Sequence, residues 1–164
     1  MSPIPLVVVA VLPVVVLANG LAAGVLAGTQ LGGWPLLVAL PPGRYVHAHA
    51  FFATRYDPFM PVCLVGTVLG DLVLAVAFDH IVARALYLLA MLLALVTVAI
   101  SIVKNVPVNK WIQTLDPERL PADFTARDPR PTWGRWNQIR ARLTVTALLL
   151  NCIGLALALG MSAG

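Results

Sequence analysis

Long apolar runs separated by two polar stretches dominate this chain. A helix that crosses a membrane needs about 20 mostly apolar residues, and four segments reach that length. They cover about residues 4–28, 58–78, 81–103 and 139–161. The pattern predicts an all-α integral membrane protein, a single transmembrane domain over residues 1–164 in which the spans form an antiparallel four-helix bundle.

The first span is predicted to begin at about Ile4, to kink at Pro13 and to stop at Pro35. No basic residues precede it and it exceeds signal-peptide length, so we expect it to be retained. Its many small residues permit close approach between helices. The same small-residue face would suit contacts between subunits, which favours a homo-oligomer.

The two polar stretches are predicted to lie outside the bilayer. The stretch from Trp34 to Asp57 is interrupted by Pro41 and Pro42, so we expect a loop and a short interfacial helix there. Residues 104–138 contain five prolines and mixed charge, which predicts a long polar loop with short helical pieces.

Composition supports a membrane protein, because 60% of residues are hydrophobic and 11% are charged, against about 25% charged in soluble domains. The formal charge is +4, but the basic residues lie beside the spans, where they indicate topology rather than a nucleic-acid partner. Ten of the eleven Lys and Arg residues lie in the connections before span two and after span three, against Arg84 alone in the other. The positive-inside rule therefore predicts cytoplasmic long loops and both termini outside.

Asp71 is the clearest polar signal within a span, since an intramembrane carboxylate costs roughly 2.5 to 3.5 kcal/mol on insertion scales. Counted from the predicted cytoplasmic end, Asp71, Asn19 and Asn151 lie about 13 to 18 Å deep. They could form one buried polar layer. A substrate or proton site and a structural hydrogen-bond cluster are both compatible with that layer.

His47 and His49 are the candidates for a metal site. Residues two apart lie on different faces of a helix but on the same side of a strand, and His80 is predicted at the opposite membrane surface. The sequence contains no HExxH or CxxC pattern. The pair alone is a weak basis for a metal centre, and the cofactor, metal or haem included, stays open.

Asn105 and Asn109 flank Pro107 at the cytoplasmic end of span three. Asparagines around a proline commonly cap a helix and form a turn. The two amides would also lie near the mouth of the bundle, where they could bind a carbonyl or a phenol.

The segment before span four combines aromatic and basic residues. Trp133, Asn137 and Arg140 follow an i, i+4, i+7 spacing, so on a helix they share one face. Trp136 and Arg140 are also spaced for a cation–π contact. Interfacial anchoring is the alternative role for such residues at the beginning of a span.

Three elements together resemble the anthrone oxygenase-like family of small four-span membrane proteins, over about residues 20–150. The elements are a small-residue first span followed by Leu40-Pro-Pro-Gly-Arg-Tyr-Val-His-Ala-His49 and Asp57-Pro-Phe-Met-Pro61, the segment Asn105-Val-Pro-Val-Asn109, and Trp133-x-x-x-Asn137-x-x-Arg140. Relatives often have His at the position of Asn137, so any role of that His as base or ligand is in doubt here.

The resemblance implies an enzyme that uses O2 to convert the activated ring CH2 of a hydrophobic polycyclic aromatic into a carbonyl, anthrone to anthraquinone, as a biosynthetic tailoring step. His49 or Asp57 would then be the base, and Asn105, Asn109 and Arg140 would stabilise the developing oxyanion. No cofactor is required in that scheme.

Four further residues, Tyr45, Trp133, Asn137 and Asp71, are expected to contact the substrate in that scheme. The competing hypothesis is a non-enzymatic membrane carrier or accessory subunit for lipophilic molecules. Asp71, as an intramembrane charge, suits a carrier no less than an enzyme.

Overall fold

The computed structural model describes residues 5–163 and the side chains of residues 5–160, so the predicted start at Ile4 lies outside the described residues. The helices are α1 (Leu6–Gly28), α2 (Trp34–Ala39), α3 (Pro42–Tyr56), α4 (Phe59–Ala77), α5 (Ile81–Ile100), α6 (Val106–Gln113) and α7 (Arg130–Ala163). No strand occurs among the described residues, and the all-α prediction is confirmed.

Four continuous helical runs are long and apolar enough to cross a membrane, as predicted. They are Leu6–Ala39, Phe59–Ala77, Ile81–Gln113 and Arg130–Gly160. Large apolar side chains are exposed on their outer surfaces, among them Leu31 at 82% and Val76 at 73%. A soluble protein rarely leaves such a continuous apolar surface uncovered, so the chain fits a multi-pass membrane protein.

Two of the runs extend beyond their predicted ends because each contains one wide π-helical turn. The first π turn, Thr29–Gly33, joins α1 to α2, and the second π turn, Ser101–Asn105, joins α5 to α6. In each turn a backbone N–H bonds to the carbonyl five residues earlier, from Trp34 to Thr29 and from Val106 to Ser101. The prediction that Pro35 stops the first span is therefore wrong.

A proline follows each π turn by two residues, at Pro35 and Pro107. Proline has no N–H to donate, and its ring crowds the carbonyl four residues earlier. An extra residue in the preceding turn accommodates both effects and keeps the helix continuous. The first run ends instead at Ala39, because the next residue, Leu40, is extended. Leu40 precedes Pro41, and a residue before proline disfavours the helical conformation.

The polar stretches are more helical than predicted. The expected short helix after span one is α3, with 15 residues. The predicted loop over 104–138 is confined to 114–129, because α6 occupies its beginning and α7 begins at Arg130 rather than near residue 139.

The long helices α1, α4, α5 and α7 contact one another in that order around a ring. Two hydrophobic clusters give their directions. The first cluster joins Val8 of α1, Leu74 of α4, Tyr87 of α5 and Ala158 of α7. The second cluster joins Leu26 of α1, Met60 of α4, Val98 of α5 and Ala141 of α7. Neighbouring helices therefore run in opposite directions.

A third hydrophobic cluster lies beyond the second and closes what we call the α3 end. It is formed by Leu37, Tyr45, Val46, Ile112, Phe124 and Trp133, which come from α2, α3, α6, the 114–129 connection and α7. Trp34 lies against Gly134 so closely that a Cβ at that glycine would overlap its indole ring. The glycine thus lets α2 contact the beginning of α7.

Candidate active site

A cavity of about 550 Å³ lies at the α3 end, between the second and third clusters. Its wall is mainly apolar, and its volume is typical of small-molecule sites. Seven of the nine predicted catalytic and substrate-binding residues line it. They are His49, Asp57, Asn105, Asn109, Trp133, Asn137 and Arg140.

Both π turns contribute to the cavity wall. Thr29 and Gly33 come from the first turn, and Ser101, Ile102 and Asn105 come from the second. An extra residue in a turn changes which side chains face inward, and such turns are frequent at functional sites. The turns therefore help bring the polar groups of two different spans into one apolar chamber.

Asn109 holds three of the site residues together. Its Oδ1 lies 3.0 Å from His49 Nε2 and accepts a 2.9 Å hydrogen bond from Trp133 Nε1. Its Nδ2 donates to Asp57 Oδ1 at 3.4 Å. An indole N–H can only donate, so the amide atom that faces it is the oxygen. His49 Nε2 must then carry a hydrogen, which it donates to the same oxygen.

The second ring nitrogen of His49 is therefore the available base. Burial lowers the pKa of His49 below its usual value, and this outweighs the hydrogen bond to Asn109 and the charge of Asp57, which both raise the pKa. A neutral ring with hydrogen on Nε2 has its lone pair on Nδ1. That atom is buried and has no hydrogen-bond partner among the described residues.

Aromatic rings fix the orientation of His49. The Trp133 ring lies 4.8 Å away and the Tyr45 ring lies 5.3 Å away, both in edge-to-face geometry. Tyr45 was predicted to contact the substrate, but it is fully buried and lies outside the cavity wall. Burial, and then the charge of Asp128, raise the pKa of Tyr45. It therefore supports His49 from behind as a neutral phenol.

Arg140 is a buried cation in this apolar chamber. It is 8% exposed, and its Nε has no hydrogen-bond partner within the described part of the chain. It forms no ion pair there either, although the charge of Asp57 acts on it. A buried charge without a close partner is costly, so an anionic ligand group at this position would be stabilised.

Two further amides line the cavity together with Arg140. Asn105 Nδ2 donates to the Trp133 carbonyl at 3.4 Å, while its Oδ1 is buried without a partner in the described structure. Asn137 Nδ2 donates to Gln30 Oε1 at 3.2 Å. Asn105 makes no capping hydrogen bond to α6, so the capping interpretation is wrong for this residue.

The structure separates Asp71 from the cavity. Asn151 Nδ2 donates to Asn19 Oδ1 at 3.1 Å, and Asn19 Nδ2 donates to the Thr144 carbonyl at 3.3 Å, so two members of the predicted polar layer meet. Asp71 is fully buried within reach of the Asn151 amide, although their geometry falls short of a regular hydrogen bond and neither carboxylate oxygen has another partner among the described residues. It does not line the cavity.

The candidate metal pair is divided between two helix faces. His49 is buried and His47 is exposed, as the helical spacing requires, so the pair does not converge on one ion. No group of three or more His, Cys, Asp or Glu side chains lies together in the described residues. The predicted cation–π contact is also different, because Lys104 rather than Arg140 lies over Trp136, at 5.3 Å.

Sequence reasoning missed the two π turns, the Gln30 contact and the apolar part of the cavity wall. Phe52, Met60 and Leu64 line that wall. Prolines within apolar helical runs were an available signal for the turns. The apolar lining carried no such signal, because its residues look like any other residues of a span.

Comparison with known proteins relates the chain to a family. A family model described as "Anthrone oxygenase" matches residues 49–150. This stretch begins at His49 and includes all seven of the predicted residues that line the cavity. No curated protein and no solved structure matches the chain.

Proposed function

The chain belongs to the anthrone oxygenase family, and on that premise we propose that it is a membrane-embedded oxygenase for a hydrophobic, anthrone-type polycyclic aromatic. One observation carries the proposal. The same mainly apolar cavity holds a buried cation, Arg140, and a buried neutral histidine, His49. Among the described residues, Arg140 has no ion-pair partner and His49 Nδ1 has no hydrogen-bond partner. A flat aromatic ketone that becomes an anion on losing a proton fits both.

The first proposed step is proton removal by His49 Nδ1. The CH2 group of an anthrone is flanked by two aryl rings and conjugated to a carbonyl, so its carbanion is delocalised onto the carbonyl oxygen. The proton would move to Nδ1 and the C–H electron pair to the ring system. Asn109 would hold the resulting imidazolium through Nε2, and the charge of Asp57 would stabilise it.

Arg140 is proposed to stabilise the oxyanion that forms as the proton leaves. Its guanidinium is already desolvated, so little reorganisation is needed when negative charge develops beside it. Asn105 retains one amide hydrogen beyond its bond to the Trp133 carbonyl and could donate a second hydrogen bond. Asn109 would contribute mainly by positioning His49, since its oxygen already accepts two bonds.

The second proposed step is reaction of the electron-rich carbon with O2. The carbon would bond to one oxygen atom, and the proton on His49 would return to the distal oxygen. Loss of the remaining C–H hydrogen together with cleavage of the O–O bond would give a second carbonyl and water. Anthrone and O2 thus yield anthraquinone and one water, and O2 takes up the electrons. The scheme calls on no cofactor, and a biosynthetic tailoring role is part of the proposal.

Membrane topology is part of the proposal as well. The α3 end would face the cytoplasm and both termini would lie outside, because the connections at that end carry ten of the eleven Lys and Arg residues. The four spans would form one antiparallel helical bundle around the cavity.

The test is oxygen consumption by the purified protein in lipid nanodiscs supplied with anthrone. We expect O2 uptake and anthraquinone formation above the uncatalysed rate, with one atom of labelled O2 in the new carbonyl. The Arg140→Gln variant should lose the acceleration. Its matched control is Arg135→Gln, which alters an exposed arginine and should keep the acceleration. Binding of the aromatic without acceleration would instead support the carrier hypothesis.

A further inference from the structure

We propose that the aromatic substrate reaches the cavity sideways from the bilayer, through a gap between the first half of α4 and the segment formed by the second π turn and α6. We call this gap the lateral opening. The inference rests on the proposed function, because it takes a flat, lipid-soluble ligand as the molecule that passes.

The first observation is a break in the contacts between two neighbouring spans. Helix α4 packs extensively along α5, and Val98 still contacts the second cluster. Beyond that level, α4 has at most marginal contact with the second π turn or with α6 in the described structure. The third span, formed by α5, the second π turn and α6, therefore diverges from α4 at the level where the cavity begins.

The second observation is the character of the rim. Val65 of α4 and Ile102 of the second π turn both line the cavity, yet they are 45% and 62% exposed. Tyr56 and Pro61 also line the cavity and are also exposed. These exposed and mainly apolar side chains can contact lipid acyl chains on the outer side of the opening. They can also contact an aromatic ring that passes through it.

The rim belongs to two helical runs that are long and apolar enough to cross a membrane. Val65 is six residues into α4, which corresponds to about 9 Å along the helix axis. Val62, three residues before Val65 on α4, is 72% exposed. Val103, which follows Ile102 in the second π turn, is 63% exposed. Both flanks of the opening are thus apolar surfaces of membrane-length helices. Asp57 and Lys110, which also line the cavity, lie towards its polar edge.

The third observation is that the α3 end is closed by side chains. Tyr45, Val46 and Ile112 in the third cluster are fully buried. Phe124 of the 114–129 connection is buried in the same cluster. A rigid tricyclic molecule would have to separate this cluster to enter through it from water, whereas the lateral opening is edged by the exposed side chains of Val65 and Ile102.

The lateral opening also explains how a poorly soluble substrate meets a buried base. The ligand would partition into the bilayer, pass between Val65 and Ile102, and reach a chamber where Arg140 attracts its oxygen. Product would return to the bilayer by the same path. Bulkier residues at the rim should therefore slow both association and dissociation.

The experiment compares two double variants in lipid nanodiscs. Val65→Phe with Ile102→Phe narrows the opening, while Val62→Phe with Val103→Phe adds the same bulk on the lipid-facing flanks. The probe is 1,8-dihydroxyanthraquinone, whose binding is followed by stopped-flow quenching of tryptophan fluorescence. We expect association and dissociation both to slow at least 10-fold in the rim variant, and neither rate to fall in the flank variant.

Three outcomes would contradict the inference, and each has a different meaning. Equal rates in the rim and flank variants, with normal binding, would overturn the lateral opening and leave the proposed function intact. Absence of probe binding in the wild-type protein would overturn both. A rim variant that loses affinity without slowing would show that Val65 and Ile102 belong to the binding site instead.

Discussion

Asn109 Oδ1 lies 3.0 Å from His49 Nε2, and this contact decides which nitrogen of the histidine is free. The Trp133 N–H binds the same oxygen at 2.9 Å, so the amide cannot turn its NH2 group towards the histidine without losing that bond. The base at the cavity therefore depends on a tryptophan that need not take part in the chemistry.

Trp133→Phe tests this dependence, because it keeps a ring beside His49 and removes only the N–H donor. Asn109 would lose the bond that fixes its orientation, and part of the His49 population would carry its hydrogen on Nδ1. We expect turnover of anthrone to fall roughly 10-fold, a fraction of the 10²–10⁴ that a positioned base contributes. Trp136→Phe, at the ring under Lys104, is the control and should retain activity.

The pH dependence of turnover follows from the lowered pKa of His49. The reaction needs the neutral ring, so activity should fall on the acid side with a midpoint below the usual value of about 6.5. Asp57→Asn removes a charge that raises this pKa and should move the midpoint to still lower pH. His47→Gln, at an exposed position, should leave the profile unchanged. A midpoint above 6.5 in the wild-type protein would contradict the assignment of His49 as the base.

Stability should respond to the same group with a defined sign. Because the pKa of His49 is lower in the folded protein, the unfolded chain binds the proton first as the pH falls through about 6.5. The wild type should lose stability between that pH and the lower folded-state pKa, relative to His49→Gln. Thermal unfolding in detergent at several pH values measures the difference, and parallel curves for the two proteins would refute it.

Arg140 should show opposite effects on activity and stability. Arg140→Gln removes the proposed oxyanion partner, so turnover should fall about 10²–10³-fold. It also removes a buried charge that forms no ion pair with any described residue, so the melting temperature should stay the same or rise. A variant that loses both activity and stability would indicate a structural role for the arginine.

The sequence predicted the number of spans and named seven residues that line the cavity, for different physical reasons. Span number follows from apolar length, which any helix crossing a membrane must satisfy. Trp133, Asn137 and Arg140 lie together at the cavity because their spacing fixes one helix face, whether or not the beginning of α7 was expected to be helical. Local periodicity was sufficient for both.

Other features depended on contacts between distant segments. Pro35 looks like a stop signal in isolation, yet the first π turn carries the helix past it. Tyr45 lies close to His49 in sequence, but the third cluster covers it. Asp71 was distinguished by its charge alone, and only the fold shows that it lies away from the cavity. Sequence pattern cannot rank such residues, because burial is set by neighbouring spans.

Asp71→Asn should separate the buried polar layer from catalysis. Asp71 lies outside the cavity wall, so turnover of anthrone should stay within about twofold of the wild type. The neutral amide avoids burying a charge and offers an N–H to Asn151 Oδ1, which has no partner among the described residues. Its melting temperature should therefore be maintained or raised, whereas Asp79→Asn, at an exposed position, should change neither property. Loss of activity in Asp71→Asn would mean that the reaction extends deeper into the membrane than the cavity.

Gly134→Ala tests the contact that joins α2 to α7. A methyl group at this position would overlap the Trp34 ring, and that ring lies 5.8 Å from the ring of Trp133. Displacing Trp34 should disturb Trp133 and loosen its hydrogen bond to Asn109, so we expect a stability loss of about 1–3 kcal/mol from overpacking together with reduced turnover. Gly24→Ala is the matched control, because nothing lies within 4 Å of the added carbon, and alanine favours a helix over glycine. Equal stability and turnover in the two variants would show that the position of Trp34 is not what keeps the base in place.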